Sequence, residues 1–323
     1  MQNVVTLIAP VLFAALLFSP HVLAQTYPDK TVRVVIPWPA GGSNDIVGRI
    51  VAQAVAPSLG QQLVIDNRGG AAGTIGSDLV AKSAADGYTM LVTSATHLGN
   101  AFVYKKLPYD PLKDFIGVSP LGRQVGILAV HPALPVKSVR EFIALAKKKP
   151  GEIVYGSAGN GSFTHLLMVY FNTMTDTRML HVPYKGGAPA GISIATGETQ
   201  AMIATLGSFL PQLQTNKVRA LAVTSSARVE QFPDVPTVAE SGVPGFEFTS
   251  WVGAFVPAGT PRAAVNRLNA EFKKAASDPA MRKRLSEAAH DAMYLSTEDF
   301  ARLLAADYDK YGKLIRLIGA TVE

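Results

Sequence analysis

Short β-rich runs alternate with helical stretches along most of this chain, and that alternation restricts the fold more than any other feature. Strands are expected at 32–36, 62–65, 89–93, 126–130, 153–155, 179–182, 202–205 and 220–224. Helices are expected near 45–58, 73–82, 139–148, 164–173, 188–195 and 208–214. The pattern calls for α/β layers with largely parallel sheets. Ligands in such sheets collect at the carboxyl ends of the strands. The tail reads differently: 262–276, 279–289 and 297–318 form consecutive charged amphipathic helices that pack around a finished domain. At 323 residues, 48% of them hydrophobic, the chain can bury a large core and would normally divide into two domains.

Two of the strand-to-helix junctions carry glycines and small hydroxyl residues where the strand stops. The first runs Pro37-Trp38-Pro39-Ala40-Gly41-Gly42-Ser43-Asn44-Asp45, the second Gly156-Ser157-Ala158-Gly159-Asn160-Gly161-Ser162. A helix leaves its first amides unpaired at the positive end of its dipole, and glycines admit close approach. Each junction therefore suits a carboxylate or phosphate, and an ordinary strand-loop-helix turn is the competing account for either one alone. Ser43 or Asn44 is expected to cap the first helix, whose rows Ile46, Ile50, Ala54 and Val47, Val51, Val55 keep helical spacing.

Residues 4–23 are apolar and uncharged and end in Val22-Leu23-Ala24, a small-x-Ala pattern that reads as a signal peptide cleaved before Gln25, although no Lys or Arg precedes the run. A membrane anchor is the alternative, against which Pro10 and Pro20 interrupt the segment. There is no cysteine to form a disulfide or carry a lipid. The net charge of +6 is scattered, and its densest run, Lys147-Lys148-Lys149, fits a solvated helix end. Nucleic-acid binding is not expected; a diffuse positive field would attract small anions.

Enzyme readings find little support. Ser162 and His165 are three apart and could meet on one helix face, yet no nucleophile-elbow pattern or orienting acid accompanies them, so a cap and a helix histidine is the simpler reading. No metal-ligand spacing links the six histidines, and neither a P-loop nor a dinucleotide fingerprint occurs. No cofactor or metal is implied.

Further motifs follow in order: Asn67-Arg68-Gly69-Gly70-Ala71-Ala72-Gly73, Ala85-Asp86-Gly87-Tyr88-Thr89, Leu107-Pro108-Tyr109-Asp110-Pro111, Pro183-Tyr184-Lys185-Gly186-Gly187-Ala188-Pro189-Ala190, Phe232-Pro233-Asp234-Val235-Pro236-Thr237, Trp251-Val252-Gly253 and Pro257-Ala258-Gly259-Thr260-Pro261. With both glycine junctions, they make the sequence resemble the solute receptors of tripartite tricarboxylate transporters, the Bug family, over nearly the whole mature chain.

The resemblance implies a type II periplasmic-binding-protein fold, with two α/β lobes joined by crossing strands and a ligand enclosed between them. Lobe one would comprise 25–124 and 248–323, and lobe two the inserted 125–247, with the hinge at the crossings. The implied function is periplasmic capture of a small carboxylate-bearing anion for a membrane permease; a periplasmic sensor feeding a signalling system is the alternative. Trp38, Ala40, Gly41, Gly42 and Ser43 would supply amides and a wall from lobe one, with Asp45 nearby, and Thr93, Ser94 and Thr96 would add hydroxyls. Lobe two would contribute Ser157, Ala158, Gly159, Asn160, Gly161 and Ser162 as a second amide nest, with His165 beside it. Tyr184, Lys185, Gly186 and Gly187 would close over the ligand and Thr205 add a contact. Loop amides are expected to matter more than side chains. Asp45, if it faces the cleft, would favour an ammonium-bearing ligand.

Overall fold

The computed structural model describes residues 27–319, so the signal-peptide reading lies outside the described residues. The first unit begins as β1 (Val32–Ile36), α1 (Ser43–Leu59), β2 (Leu63–Asn67), α2 (Thr74–Ala81), β3 (Thr89–Ser94) and α3 (Thr96–Val103). β1 pairs in parallel with both β2 and β3. Alternating burial fits one helix to this sheet: Val47, Val51 and Val55 of α1 are inside, and Gly48 lets the helix lie so close to β1 that a Cβ there would come within 2.8 Å of Ile36 Cδ1.

β4 (Phe115–Val130) is a 16-residue strand rather than the short run expected at 126–130. Its first part pairs antiparallel with β9 (Thr249–Pro257), which sequence patterning missed, and β9 also flanks β3 antiparallel. From Gly126 onward β4 pairs instead with β7 (Ala201–Thr205) and, from Ile127, with β8 (Arg219–Val223), both antiparallel. Parallel pairing returns where β5 (Val154–Ser157) lies between β6 (Leu180–Pro183) and β7. The strand path β2-β1-β3-β9-β4-β7-β5-β6 is thus mixed, which corrects the expectation of largely parallel sheets: two long strands carry the chain from one half to the other and back. The result is a two-lobed α/β fold.

α4 (Val139–Lys148), α5 (Phe163–Thr175), α6 (Gly187–Thr196) and α7 (Leu206–Gln214) cover the β5–β7 half. α8 (Arg262–Ser277), α9 (Pro279–Glu287) and α10 (Thr297–Ile318) form the charged tail. α8 and α9 pack on α1, and α10 packs on α3 and β4. The tail is anchored by Phe300, which stacks edge-on to Trp251 of β9, and by the Trp251 indole, which donates to Asp307 at 2.7 Å. The short strand β10 (Asp291–Ala292) pairs with Gly122 and Arg123 of β4. This brings His290 beside the crossing.

Candidate functional site

Five helices begin around one cavity of about 60 Å³. Its wall holds the first-turn residues Ser43 and Asn44 of α1, Thr96 of α3, Phe163 and Thr164 of α5, Gly187 of α6 and Ser208 of α7. Trp38, Pro39, Gly42, Ser94, Gln124, Ala158, Ser162, Met202, Ala204 and Thr205 complete it, and no charged side chain is among them. Each helix start presents amides with no intrahelical acceptor and a fractional positive charge. Converging on one uncharged, partly enclosed space, they favour an anion without a lysine or arginine.

The structure therefore gathers Trp38, Gly42, Ser43, Ser94, Thr96, Ala158, Ser162 and Thr205, all singled out in the sequence, into this cavity. An adjoining outer recess shares Trp38, Pro39 and Ala158 and is lined also by Gly159, Asn160, Tyr184 and Lys185. Gly186 approaches Pro39 from the opposite half, where an added Cβ would lie 2.7 Å from Pro39 Cγ. Gly161 makes a similar approach to Val103 of α3, at 2.8 Å from Cγ1. Ala40 and Gly41 are exposed at the loop tip, and Thr93 is buried in β3 opposite Gly253; neither cavity is lined by them.

Asp45 does not line the cavity either. Its buried carboxylate accepts from the Gly41 amide at 3.0 Å, from Arg49 Nε at 2.9 Å and from Asn67 Nδ2 at 3.0 Å. Burial pushes its pKa up, but the hydrogen bonds from Arg49, Gly41 and Asn67, with the Arg49 charge, outweigh this and hold it below the usual carboxylate value. The acid ties down the glycine loop from behind. Asp45→Asn is accordingly expected to lower stability by about 1–3 kcal/mol, by weakening a charge-assisted network, while leaving the ranking of amino acids against plain acids unchanged. Denaturant titration and calorimetry of the variant would check both halves of this expectation.

Capping also differs from the sequence reading. Gly42, not Ser43 or Asn44, holds the cap position of α1, and both polar residues lie within the first turn. Their side chains turn to tertiary partners instead: Ser43 Oγ meets His290 Nε2, and Asn44 Oδ1 accepts from Gln124 Nε2 at 3.2 Å. In the second junction most loop amides are consumed internally. Ala158 N–H donates to Thr164 Oγ1, Gly159 N–H to Ser157 Oγ, Gly161 N–H to His165 Nδ1 and Ser162 N–H to the Gly159 carbonyl. Most amides of the expected nest are thus satisfied within the loop and helix start themselves.

Ser162 caps α5, its Oγ accepting from the His165 amide. His165 stacks on His181 at 4.2 Å, and His181 Nε2 meets Ser157 Oγ at 2.6 Å, so Ser157 and His165 stiffen the loop from below rather than line it. Burial lowers both imidazole pKa values to about 4, His181 being lowered further by its neighbour. Among the residues that sequence reasoning did not single out, Gln124 is 2% exposed, and its Oε1 has no partner within the protein. Trp38 Nε1 is likewise an unpartnered donor. Gln124 lay in a stretch read only as a lobe boundary.

This uncharged cavity at the centre of a two-lobed α/β fold is that of a solute-binding receptor. The chain belongs to the tripartite tricarboxylate transporter family of receptors, whose sequence model matches residues 47–320. It is similar to the R. palustris protein Rpa4515, solved with adipate, at 35% identity and a TM-score of 0.89 over 92% of this chain and 100% of that one. The periplasmic binding protein BugD superposes with a TM-score of 0.88 at 30% identity, covering 92% and 100% of the two chains. MatC from Rhodopseudomonas palustris, with bound malate, gives 0.84 at 30% identity over 90% and 100%.

Proposed function

We propose that this protein is a periplasmic receptor that binds a small organic carboxylate and delivers it to a membrane permease of the tripartite tricarboxylate type. The observation that carries this reading is the meeting of five helix starts on one cavity without a charged wall residue. Receptors of similar fold were solved with adipate and with malate, which agrees with a carboxylate occupant. The reading is one of capture and release, and Ser162, weighed from sequence beside His165, caps a helix by accepting the His165 amide. The N-terminal segment would direct export and be removed after Ala24. The lobes would divide at 124/125 and 247/248, near where β4 exchanges β9 for β7 and where β9 begins, so that closure turns on these two strands.

Thermal unfolding of the refolded mature protein against a panel of carboxylates and neutral analogues tests the proposal. At about 100 times Kd a ligand adds ~2.7 kcal/mol, a midpoint shift of several degrees. A rise confined to carboxylates is expected; none across acids of all sizes would overturn it. Gly187 offers a local check, because an added Cβ meets nothing nearer than Ser208 Oγ at 4.0 Å. Gly187→Val should fold normally yet bind the shifting acid at least about tenfold more weakly, as a branched side chain at the cavity wall displaces ligand. Calorimetry beside a melting curve separates the two effects.

A further inference from the structure

Hydrogen-bond roles in the cavity are fixed more tightly than its size. On the α1 side, His290 is 2% exposed, and its Nδ1 lies 2.7 Å from the Ala288 carbonyl. A carbonyl only accepts, so Nδ1 carries the proton and Nε2 of the neutral ring is an acceptor. The Ser43 hydroxyl must then give its hydrogen to Nε2. What Ser43 offers the cavity is lone pairs.

Gln124 adds to the same wall. Its amide nitrogen is engaged by Asn44 Oδ1 at 3.2 Å, while the buried Oε1 is unpartnered. Two acceptors joined through the first turn of α1 thus belong to residues lining a space whose other polar groups include donors. Trp38 Nε1 is free to donate. Ser162 and Thr164 share one hydrogen bond at 3.1 Å, and their remaining sites accept the His165 and Ala158 amides, so the pair retains one hydroxyl hydrogen for a ligand.

Resting on the receptor reading above, we propose that Gln124, with Ser43 held by His290, selects carboxylates that also carry a hydroxyl group. The carboxylate takes the helix starts and the donors; the hydroxyl gives its one hydrogen to the acceptor pair formed by Gln124 Oε1 and Ser43 Oγ. An ammonium group would satisfy the same acceptors, but it would enter a cavity with no acidic wall, because Asp45 is turned away to Arg49. A buried charge without a counter-charge is costly. A neutral hydroxyl fits without that penalty, and a ligand lacking any donor leaves a buried acceptor unpaired.

Calorimetry on the refolded full mature chain, with acids matched except for one group, tests this: lactate with propionate, malate with succinate and aspartate, citrate with tricarballylate, and mandelate with phenylacetate. In whichever size class binds, the hydroxy acid should bind about 5- to 100-fold more tightly than its deoxy partner, the usual consequence of leaving a buried acceptor unmet. Gln124→Leu should shrink that ratio severalfold and rescue part of the affinity for the deoxy acid, a gain that general damage to the fold would not produce. Equal or tighter binding of the deoxy acid by the wild type would overturn the proposal and leave the receptor reading standing. So would tightest binding of aspartate. If no acid binds while neutral compounds do, the carboxylate-receptor reading falls and this selection rule with it. The wild-type ratios need no variant to fold.

Discussion

Replacing Gly207 by alanine is expected to lower the melting midpoint by about 5 °C or more and to weaken ligand binding by at least tenfold. Gly207 is the second residue of α7, and an added Cβ would lie 2.2 Å from His290 Cε1 and 2.5 Å from the Ala288 carbonyl oxygen. Neither neighbour has room to yield. The ring is buried and held through both nitrogens, by Ala288 and by Ser43. Either α7 withdraws, taking Ser208 from the cavity wall, or His290 swings and releases Ser43. Overpacking of this kind costs about 1–3 kcal/mol and sometimes more, which at this size corresponds to several degrees. The binding loss follows because both escape routes pass through residues that line the cavity. Differential scanning fluorimetry with calorimetry would measure the pair; a variant with native stability and affinity would show that the contact is easily relaxed.

Acid should destabilise the protein steeply between pH 6.5 and pH 4. Burial lowers the pKa of His97 to about 3 and those of His165, His181 and His290 to about 4. Above pH 6.5 these rings are neutral whether the chain is folded or not, so their contribution is intact. As pH falls below 6.5 the unfolded chain takes up protons that the folded chain refuses, and stability drops by up to ~1.36 kcal/mol per pH unit for each ring. His165 and His181 are partly exposed and count for less. The loss levels off near pH 4 for three of them and near pH 3 for His97. Asp45 and the other carboxylates with lowered pKa values begin to lose their share only below their ordinary range. Urea titrations at intervals from pH 7.5 to pH 4 should give a slope of at least ~2 kcal/mol per unit. His290→Gln should flatten it, and a flat wild-type profile would contradict the burial described.

The sequence made the β1–α1 and β5–α5 junctions legible because each joins a clear strand to a periodic helix through glycine. It did not reveal that the starts of α3, α6 and α7 meet at the same cavity: Thr96 and Gly187 were singled out as ligand contacts through the resemblance, and Ser208 as a helix start alone. α3 went unnoticed because 96–103 carries no charge to define a polar face. β9 was missed for a related reason: it is buried on both sides, so no alternation marks it. The roles of Ser43, Asp45 and Gln124 depend on residues 247, 22 and 80 positions away, respectively. Local pattern offered Ser43 as a cap, Asp45 as an acid at the helix start beside the cleft and Gln124 only as a lobe boundary, whereas tertiary partners reassigned each one.

The two halves touch where Gly186 meets Pro39 and Gly161 meets Val103. Backbone against side chain at such short range works like the seal of a valve, which shuts fully or not at all. A passenger inside would leave no faster than the jaws part. A receptor built this way can hold its cargo through many collisions with solvent. A single methyl group at Gly186 would act as a doorstop, converting a slow, gated release into a fast leak.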